Sequence, residues 1–298
     1  MEKILELKNL RKSFSIGKKI KIKAVDNISF DLYKGEFIGV VGESGSGKST
    51  LGRLIMNIHT PNFGSIIYNN LEITDKKVYK ANKKEIVKSM QIIFQDSISS
   101  LNSRKNVFQI ISEALRINKG YENKESLKQI VLEMMNKVGL SDEDLYKYPS
   151  ELSGGQRQRI GIARALIMNP DFIVADEPIA SLDVSMQAQI INLFKNLKNE
   201  RKLTCIFIAH DLSMVKYISD RIAVMYKGKV VELASTKEIY ENPIHPYTKL
   251  LMASRLIPDP KFKNLSLQSS YNEKMKGFDF ENSKFEEIKK GHWVYRSS

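Results

Sequence analysis

The sequence predicts an α/β protein built on a phosphate-binding-loop core, with an antiparallel β segment near its start and a helical insertion inside it. Three observations lead there. The apolar run Phe37-Ile38-Gly39-Val40-Val41 reads as a buried strand, and it passes through a glycine loop into the apolar helix spacing of Leu51, Leu54 and Ile55. A second apolar run, Phe172-Ile173-Val174-Ala175, delivers two carboxylates, Asp176 and Glu177, at its C-terminal end. Between the two runs, from about residue 106 to 140, apolar residues recur at three and four positions, which is a helical period.

The glycine loop is Gly42-Glu43-Ser44-Gly45-Ser46-Gly47-Lys48-Ser49-Thr50. Strand, glycine loop and helix in that order are the context in which G-x-x-x-x-G-K-[ST] means a phosphate site rather than a turn. The glycines let successive N–H groups turn toward phosphate oxygens, and the helix that follows adds the positive end of its dipole. Lys48 can then reach the β- and γ-phosphates, and the Ser49 hydroxyl can ligate Mg²⁺. The loop implies that the chain binds a nucleoside triphosphate.

Taken in order, residues from about 3 to 41 read as strands and turns, with Phe30 to Glu36 as a hairpin corner. Phe14 falls in the first loop, ahead of a lysine-rich insertion from Gly17 to Lys23. It is free either to stack on a base or to pack on the sheet. Gly64 to Tyr68 is a short strand, a polar stretch runs to about residue 88, and Met90 to Asp96 is a buried strand carrying Gln95. The helical insertion ends at Leu152-Ser153-Gly154-Gly155-Gln156, where Ser153 stands as the cap of a second helix opened by a glycine loop. Lacking lysine, this loop is no second nucleotide grip, but it is another anion-binding helix N-terminus. In an α/β sheet the C-terminal strand ends are where ligands bind. Asp176 is placed there to hold Mg²⁺ through water, and Glu177 to polarise an attacking water. Val184 to Leu197 reads as a helix after the Ser181-Leu182-Asp183 turn. The strand from Leu203 ends at His210, read as a γ-phosphate contact rather than a structural histidine. Strands at 221–225 and 229–232 follow, and a polar tail beyond about 235 carries one helix near His245 to Leu251.

Bulk properties bound the rest. At 298 residues the chain can bury a substantial core. No apolar run approaches the roughly 20 residues that cross a bilayer, and the alternating start, Met1 to Leu7, lacks a signal-peptide core. The expected location is therefore the cytoplasmic side. The single cysteine, Cys205, sits in an apolar strand-like run, which favours a buried structural thiol and excludes an internal disulfide. A net charge of +13 invites a nucleic-acid reading, but the lysines are scattered and no nucleic-acid motif accompanies them. A solvated lysine-rich surface is expected, and attraction to an anionic membrane face is compatible with it.

The loop at 42–50, the Leu152-Ser153-Gly154-Gly155-Gln156 signature, the Asp176-Glu177 strand and His210 together resemble the ATP-binding cassette ATPases, from about residue 4 to 232. The resemblance implies a RecA-like P-loop NTPase core with an N-terminal antiparallel β subdomain and an inserted helical subdomain. It implies ATP and Mg²⁺ as ligands and puts Phe14 at the adenine. Gly42 through Ser49 becomes the Walker A loop and Asp176 the Walker B aspartate. Glu177 becomes the catalytic base, Gln95 the Q-loop glutamine, His210 the switch histidine and Asp183 the D-loop aspartate. Ser49, Asp176 and Gln95 would attend the magnesium, and Lys48 would join the catalytic set. In that family Ser153, Gly154, Gly155 and Gln156 contact the γ-phosphate held by an opposite subunit, so a single cassette must dimerise.

Gly47-Lys48-Ser49-Thr50-Leu51-Gly52-Arg53, Asp183 to Gln189, Asn242-Pro243-Ile244-His245-Pro246-Tyr247-Thr248 and Gly291-His292-Trp293-Val294 further resemble the oligopeptide and dipeptide importer ATPases. The partners implied are a second, unlike cassette ATPase (or a second copy), two transmembrane permeases and, indirectly, an extracytoplasmic substrate-binding protein, with no nucleic acid. Nickel or metallophore importers share these motifs, and soluble cassette ATPases are a remoter alternative. The expected divisions are 1–95, 96–155, 156–235 and 236–298. Ser97 and Ser103 replace the family's usual prolines, Ala180-Ser181 reverses the usual order before Asp183, and the cysteine cluster of many relatives is absent, so no iron–sulfur cluster is expected.

Overall fold

The computed structural model describes residues 2–17, 20–95, 100–118, 120–253, 278, 280 and 283–297. In chain order the strands are β1 (Lys3–Ile16), β2 (Ile20–Tyr33), β3 (Phe37–Val41), β4 (Phe63–Tyr68), β5 (Leu71–Glu72), β6 (Met90–Ile93), β7 (Phe172–Asp176), β8 (Thr204–Ala209), β9 (Arg221–Tyr226), β10 (Lys229–Ser235), β11 (Ser283–Lys289) and β12 (His292–Ser297). The helices are α1 (Lys48–Ile55), α2 (Lys76–Ser89), α3 (Val107–Asn118), α4 (Lys124–Lys137), α5 (Gly154–Leu166), α6 (Val184–Arg201), α7 (Leu212–Lys216), α8 (Thr236–Glu241) and α9 (Pro246–Ala253). The fold is α/β, with an antiparallel sheet near the N-terminus, as the sequence predicts. The chain condenses into two compact units, each discontinuous in sequence. One holds residues 1–2, 33–36 and 75–206; the other holds 3–32, 37–74 and 207–298.

In the second of these units β2, β1, β4 and β5 form a sheet in that order. β1 runs antiparallel to β4, from Leu5 opposite Tyr68 to Arg11 opposite Phe63, with an irregularity between Lys8 and Arg11. The same unit lays β3 parallel to β9, with Val40 opposite Ala223. β10 follows antiparallel to β9, then β12 to β10 and β11 to β12. All five residues of β3 are buried, as a parallel strand covered on both faces requires. The 30–36 segment is not a hairpin corner: β2 and β3 belong to different sheets. The Glu36 carboxylate accepts the Tyr33 N–H at 2.9 Å, and Gly35 turns the chain at φ +77°. Of the lysine-rich stretch expected as an insertion, residues 20–23 belong to β2, and Lys18 and Lys19 lie outside the described residues.

In the other unit β6 and β7 are parallel, with Ile93 opposite Ala175, and every residue of β7 is buried. Cys205 lies in β8, fully buried, and burial pushes its thiol above the usual range. The helical insertion forms as the period predicts. α3 buries Val107, Ile110, Ile111 and Leu115, and α4 buries Leu127, Val131 and Met135. Each such side chain contributes roughly 1.5–3 kcal/mol by leaving water. Asn123 and Ser126 cap α4 reciprocally.

Two elements depart from the sequence reading. The polar stretch before residue 88 is α2, a helix that buries only Ile86 and is started by the Asp75 carboxylate on the Lys77 and Val78 amides. The polar tail holds, besides α9, the short helix α8 and the hairpin β11–β12, in which Trp293 pairs with Leu233 of β10 and its ring stacks with Phe285 at 5.9 Å. Ser103 lies in a turn ahead of α3, and Ser97 falls outside the described residues.

Candidate functional site

The phosphate-binding loop begins where β3 ends. Gly42 has φ +153° and Gly47 φ +105°. A β-carbon at Gly42 would lie 2.2 Å from the Met225 carbonyl oxygen, and one at Gly47 would lie 2.0 Å from that of Ala24. No side chain fits either position, so the loop's curve depends on glycine at both. Replacing Gly47 with alanine is expected to cost about 1–3 kcal/mol in backbone strain alone, and more once Ala24 is displaced. Thermal unfolding of G47A should show a lowered melting temperature and no upward shift on adding ATP.

The residues present fit a phosphate chain. α1 starts at Lys48 behind an N-cap glycine, Gly47, which makes no side-chain cap. The Lys48 ammonium, 5% exposed, donates to the carbonyls of Gly42 at 2.7 Å and Glu43 at 2.9 Å, which fixes the charge inside the loop. The Ser46 hydroxyl is buried and has no partner among the described residues. Ser49 is half-buried on α1's first turn, with Thr50 beside it, while Glu43, Ser44 and Gly45 are exposed. Two contacts brace the loop from outside: Gly228 N–H donates to the Ser46 carbonyl at 2.9 Å, and Glu43 N–H donates to the Tyr247 hydroxyl oxygen at 2.9 Å. Sequence reasoning missed the second.

Phe14 lies within β1, not in a loop. It is 37% exposed, meets His59 edge-on at 5.6 Å, and has the Lys12 ammonium 5.3 Å from its ring centre. His210 is exposed one residue past β8, immediately before Asp211, whose carboxylate caps α7 through the Ser213 amide.

In the other unit β7 carries Asp176 to its end, where the carboxylate is 2% exposed. Glu177 follows with φ +47°, in the left-handed region that a carboxylate side chain enters only under constraint. Gln95 donates its amide to the Glu177 carboxylate at 2.8 Å, so the sequence-predicted base and glutamine are in direct contact. Ser153 caps α5 as expected: its hydroxyl accepts from the Gln156 amide at 3.2 Å, and the Gln156 side chain accepts from the Ser153 amide at 2.9 Å. Gln156 also donates to Asp144 at 3.1 Å, and Gln158 to the Phe94 carbonyl at 3.4 Å, tying the helix to the segment that bears Gln95. Ser153 is exposed, and Gly154 and Gly155 are half-buried on α5's first turn. Asp183 caps α6 through the Met186 amide at 3.0 Å, and its neighbour Val184 is 82% exposed. Ala180 and Ser181 are exposed in the turn before it.

A glycine loop that encloses its own lysine, a buried aspartate followed by a glutamate at a strand end, and a serine-capped glycine helix start define a P-loop ATPase with a signature motif. The chain belongs to the ABC transporter family, whose family model matches residues 25–180. A second family model, the C-terminal region of oligopeptide/dipeptide transporters, matches residues 231–279. The chain is 50% identical over 294 residues to the oligopeptide transport ATP-binding protein OppF of Bacillus subtilis, covering 98% of this chain and 96% of that one. It is 47% identical to AmiF of Streptococcus pneumoniae, likewise an oligopeptide transport ATP-binding protein, covering 99% and 95%. Among solved structures it resembles the ATP-binding cassette MJ0796, dimeric and bound to ADP and phosphate, with a TM-score of 0.72 and 28% identity over 78% of this chain and 99% of that one. It also resembles CbiO1 of Clostridium perfringens, part of an ABC transporter complex, with a TM-score of 0.68 and 26% identity over 92% and 100%.

Proposed function

We propose that this chain is the ATP-hydrolysing subunit of an importer for oligopeptides or dipeptides, working at the cytoplasmic face of a membrane. The carrying observation is that a cassette with loop, signature and paired carboxylates shares one chain with the 231–279 region matched by the oligopeptide/dipeptide transporter model. Full-length relatives named for oligopeptide transport support it and do not favour a nickel or metallophore importer. No helix among the described residues is long and apolar enough to cross a membrane, so passage of the peptide falls to permease partners.

In this reading Gly42 to Thr50 cradle the triphosphate and Phe14 carries the adenine. Lys48 holds the β- and γ-phosphates. Ser49, Asp176 and Gln95 offer oxygen donors that would hold a magnesium ion, which would supply Lewis-acid stabilisation of the charge on the phosphates. Glu177, oriented by Gln95, takes the proton of the attacking water, and His210 orients that water against the γ-phosphate. Ser153 to Gln156, with Asp183, act on the nucleotide held by a second cassette, either an unlike ATPase subunit or another copy.

The composite arrangement has a direct check. The chain alone should hydrolyse ATP poorly, and activity should rise steeply when its cassette partner and permeases are added. A species that stays monomeric with ATP in sedimentation, yet turns over at the complex's rate, would refute the arrangement.

A further inference from the structure

The C-terminal region converges on one buried carboxylate and one buried phenol. Glu232, 0% exposed in β10, accepts the Ile244 amide at 2.9 Å and the His245 amide at 3.0 Å, and its carboxylate lies 2.8 Å from His292 Nε2 of the hairpin. One side chain thus joins β10, the start of α9 and β12. His245 is buried in turn and its Nδ1 accepts the Tyr247 amide at 3.1 Å, which assigns the ring proton to Nε2 in the neutral imidazole. Burial depresses its pKa to about 4, so the ring stays neutral and the acceptor at Nδ1 persists at physiological pH. These contacts leave Tyr247 little freedom. Its ring, 1% exposed, lies against Tyr226 with centroids 4.4 Å apart, and its hydroxyl oxygen meets the Glu43 N–H at 2.9 Å.

Glu43 is the residue whose carbonyl, with that of Gly42, holds the Lys48 ammonium. The Glu43 N–H shares its peptide plane with the Gly42 carbonyl, so the phenol at 247 sets the direction of that carbonyl. We propose that Tyr247 is a positioning residue for the phosphate-binding loop, through which bound nucleotide and the C-terminal region each stabilise the other. The proposal rests on the reading that Gly42 to Ser49 binds ATP. It gives the His245-Pro246-Tyr247 motif a role at the loop: Glu232 and His245 seat the phenol, and the phenol seats the peptide that orients Lys48. Because coupling between two sites is reciprocal, ATP must tighten α9 by the factor by which Tyr247 tightens ATP.

The test uses the full chain and the variant Tyr247→Phe, which keeps the ring against Tyr226 and removes only the hydroxyl. ATP affinity is measured by calorimetry, and amide exchange is followed over 246–253 with and without MgATP. The wild type should show slowed exchange there on binding ATP. Y247F should bind ATP about tenfold more weakly, the size expected when a partly buried amide loses its acceptor, and should lose the ATP-dependent slowing. Phe285→Ala, which removes a hairpin ring packed on Trp293 and Tyr295, should lower the melting temperature and leave ATP affinity in place. Wild-type affinity in Y247F, or slowing that persists in it, overturns the coupling while leaving the nucleotide reading intact. Absence of ATP binding by the wild type overturns both. Should Y247F lose its melting transition, the wild-type exchange data decide alone: no ATP-dependent slowing over 246–253 overturns the proposal.

Discussion

Replacing Glu177 with glutamine is expected to abolish turnover while ATP still binds. The amide keeps the size of the side chain and retains an oxygen for the Gln95 donor that now sits 2.8 Å from the carboxylate. What it loses is the ability to take a proton from water. A positioned general base contributes about 10²–10⁴ in rate, so steady-state phosphate release should fall by at least the lower figure. Equilibrium binding of ATP should stay near the wild-type value, because in the proposed mechanism the glutamate partners the water and not the triphosphate. Its left-handed backbone, φ +47°, points the same way: the main chain is held in a costly conformation so that this one carboxylate stands past the end of β7. A Glu177→Gln protein that hydrolyses ATP at the wild-type rate would remove Glu177 from the role of base.

Lys48→Ala should fail earlier, at binding. The ammonium now bonded to the Gly42 and Glu43 carbonyls has only to exchange acceptors to reach a phosphate, so its charge is never left bare. Alanine removes the charge and leaves two loop carbonyls without their donor. A ligand at a hundred times its dissociation constant stabilises a protein by about 2.7 kcal/mol. That increment should appear as an ATP-dependent rise in melting temperature for the wild type and be absent from K48A. An equal rise in both proteins would show that the loop does not grip the nucleotide through Lys48.

The parts of the molecule legible in the sequence are those where one physical demand dominates. β3 and β7 are buried on both faces, so their residues are uniformly apolar and their ends can be read to within a residue. The loop at 42–47 could be read because its curve excludes side chains, as the 2.0 Å and 2.2 Å approaches at Gly47 and Gly42 make plain. Ser153 announced a helix start because a cap needs a short polar side chain at one defined place. α2 was illegible for the converse reason: with only Ile86 buried, it writes almost no apolar period, and its one signal is the Asp75 cap. The 283–297 hairpin was hidden by its charges, since Lys284, Glu286, Glu287 and Lys289 read as a solvated tail. Glu232 and Tyr247 show a further limit. Each looks ordinary in the sequence, and its meaning comes from residues as much as 204 positions away in the chain, as with Glu43 and Tyr247. Periodicity reports only neighbours, so such contacts leave no local trace.

The hairpin also changes how the sheet ends. Without it the outermost strand of its unit would be β10, whose Val230, Val231, Leu233 and Ala234 would present open main-chain donors and acceptors beside an apolar surface. Such an edge invites another chain to pair with it. The last strand in the order is instead β11, with Lys284, Glu286, Glu287 and Lys289 along an exposed rim. The hairpin therefore acts as a selvedge, exchanging an adhesive border for a charged one. A chain lacking residues 283–297 would carry the adhesive border, so the tendency to self-associate is set by this hairpin.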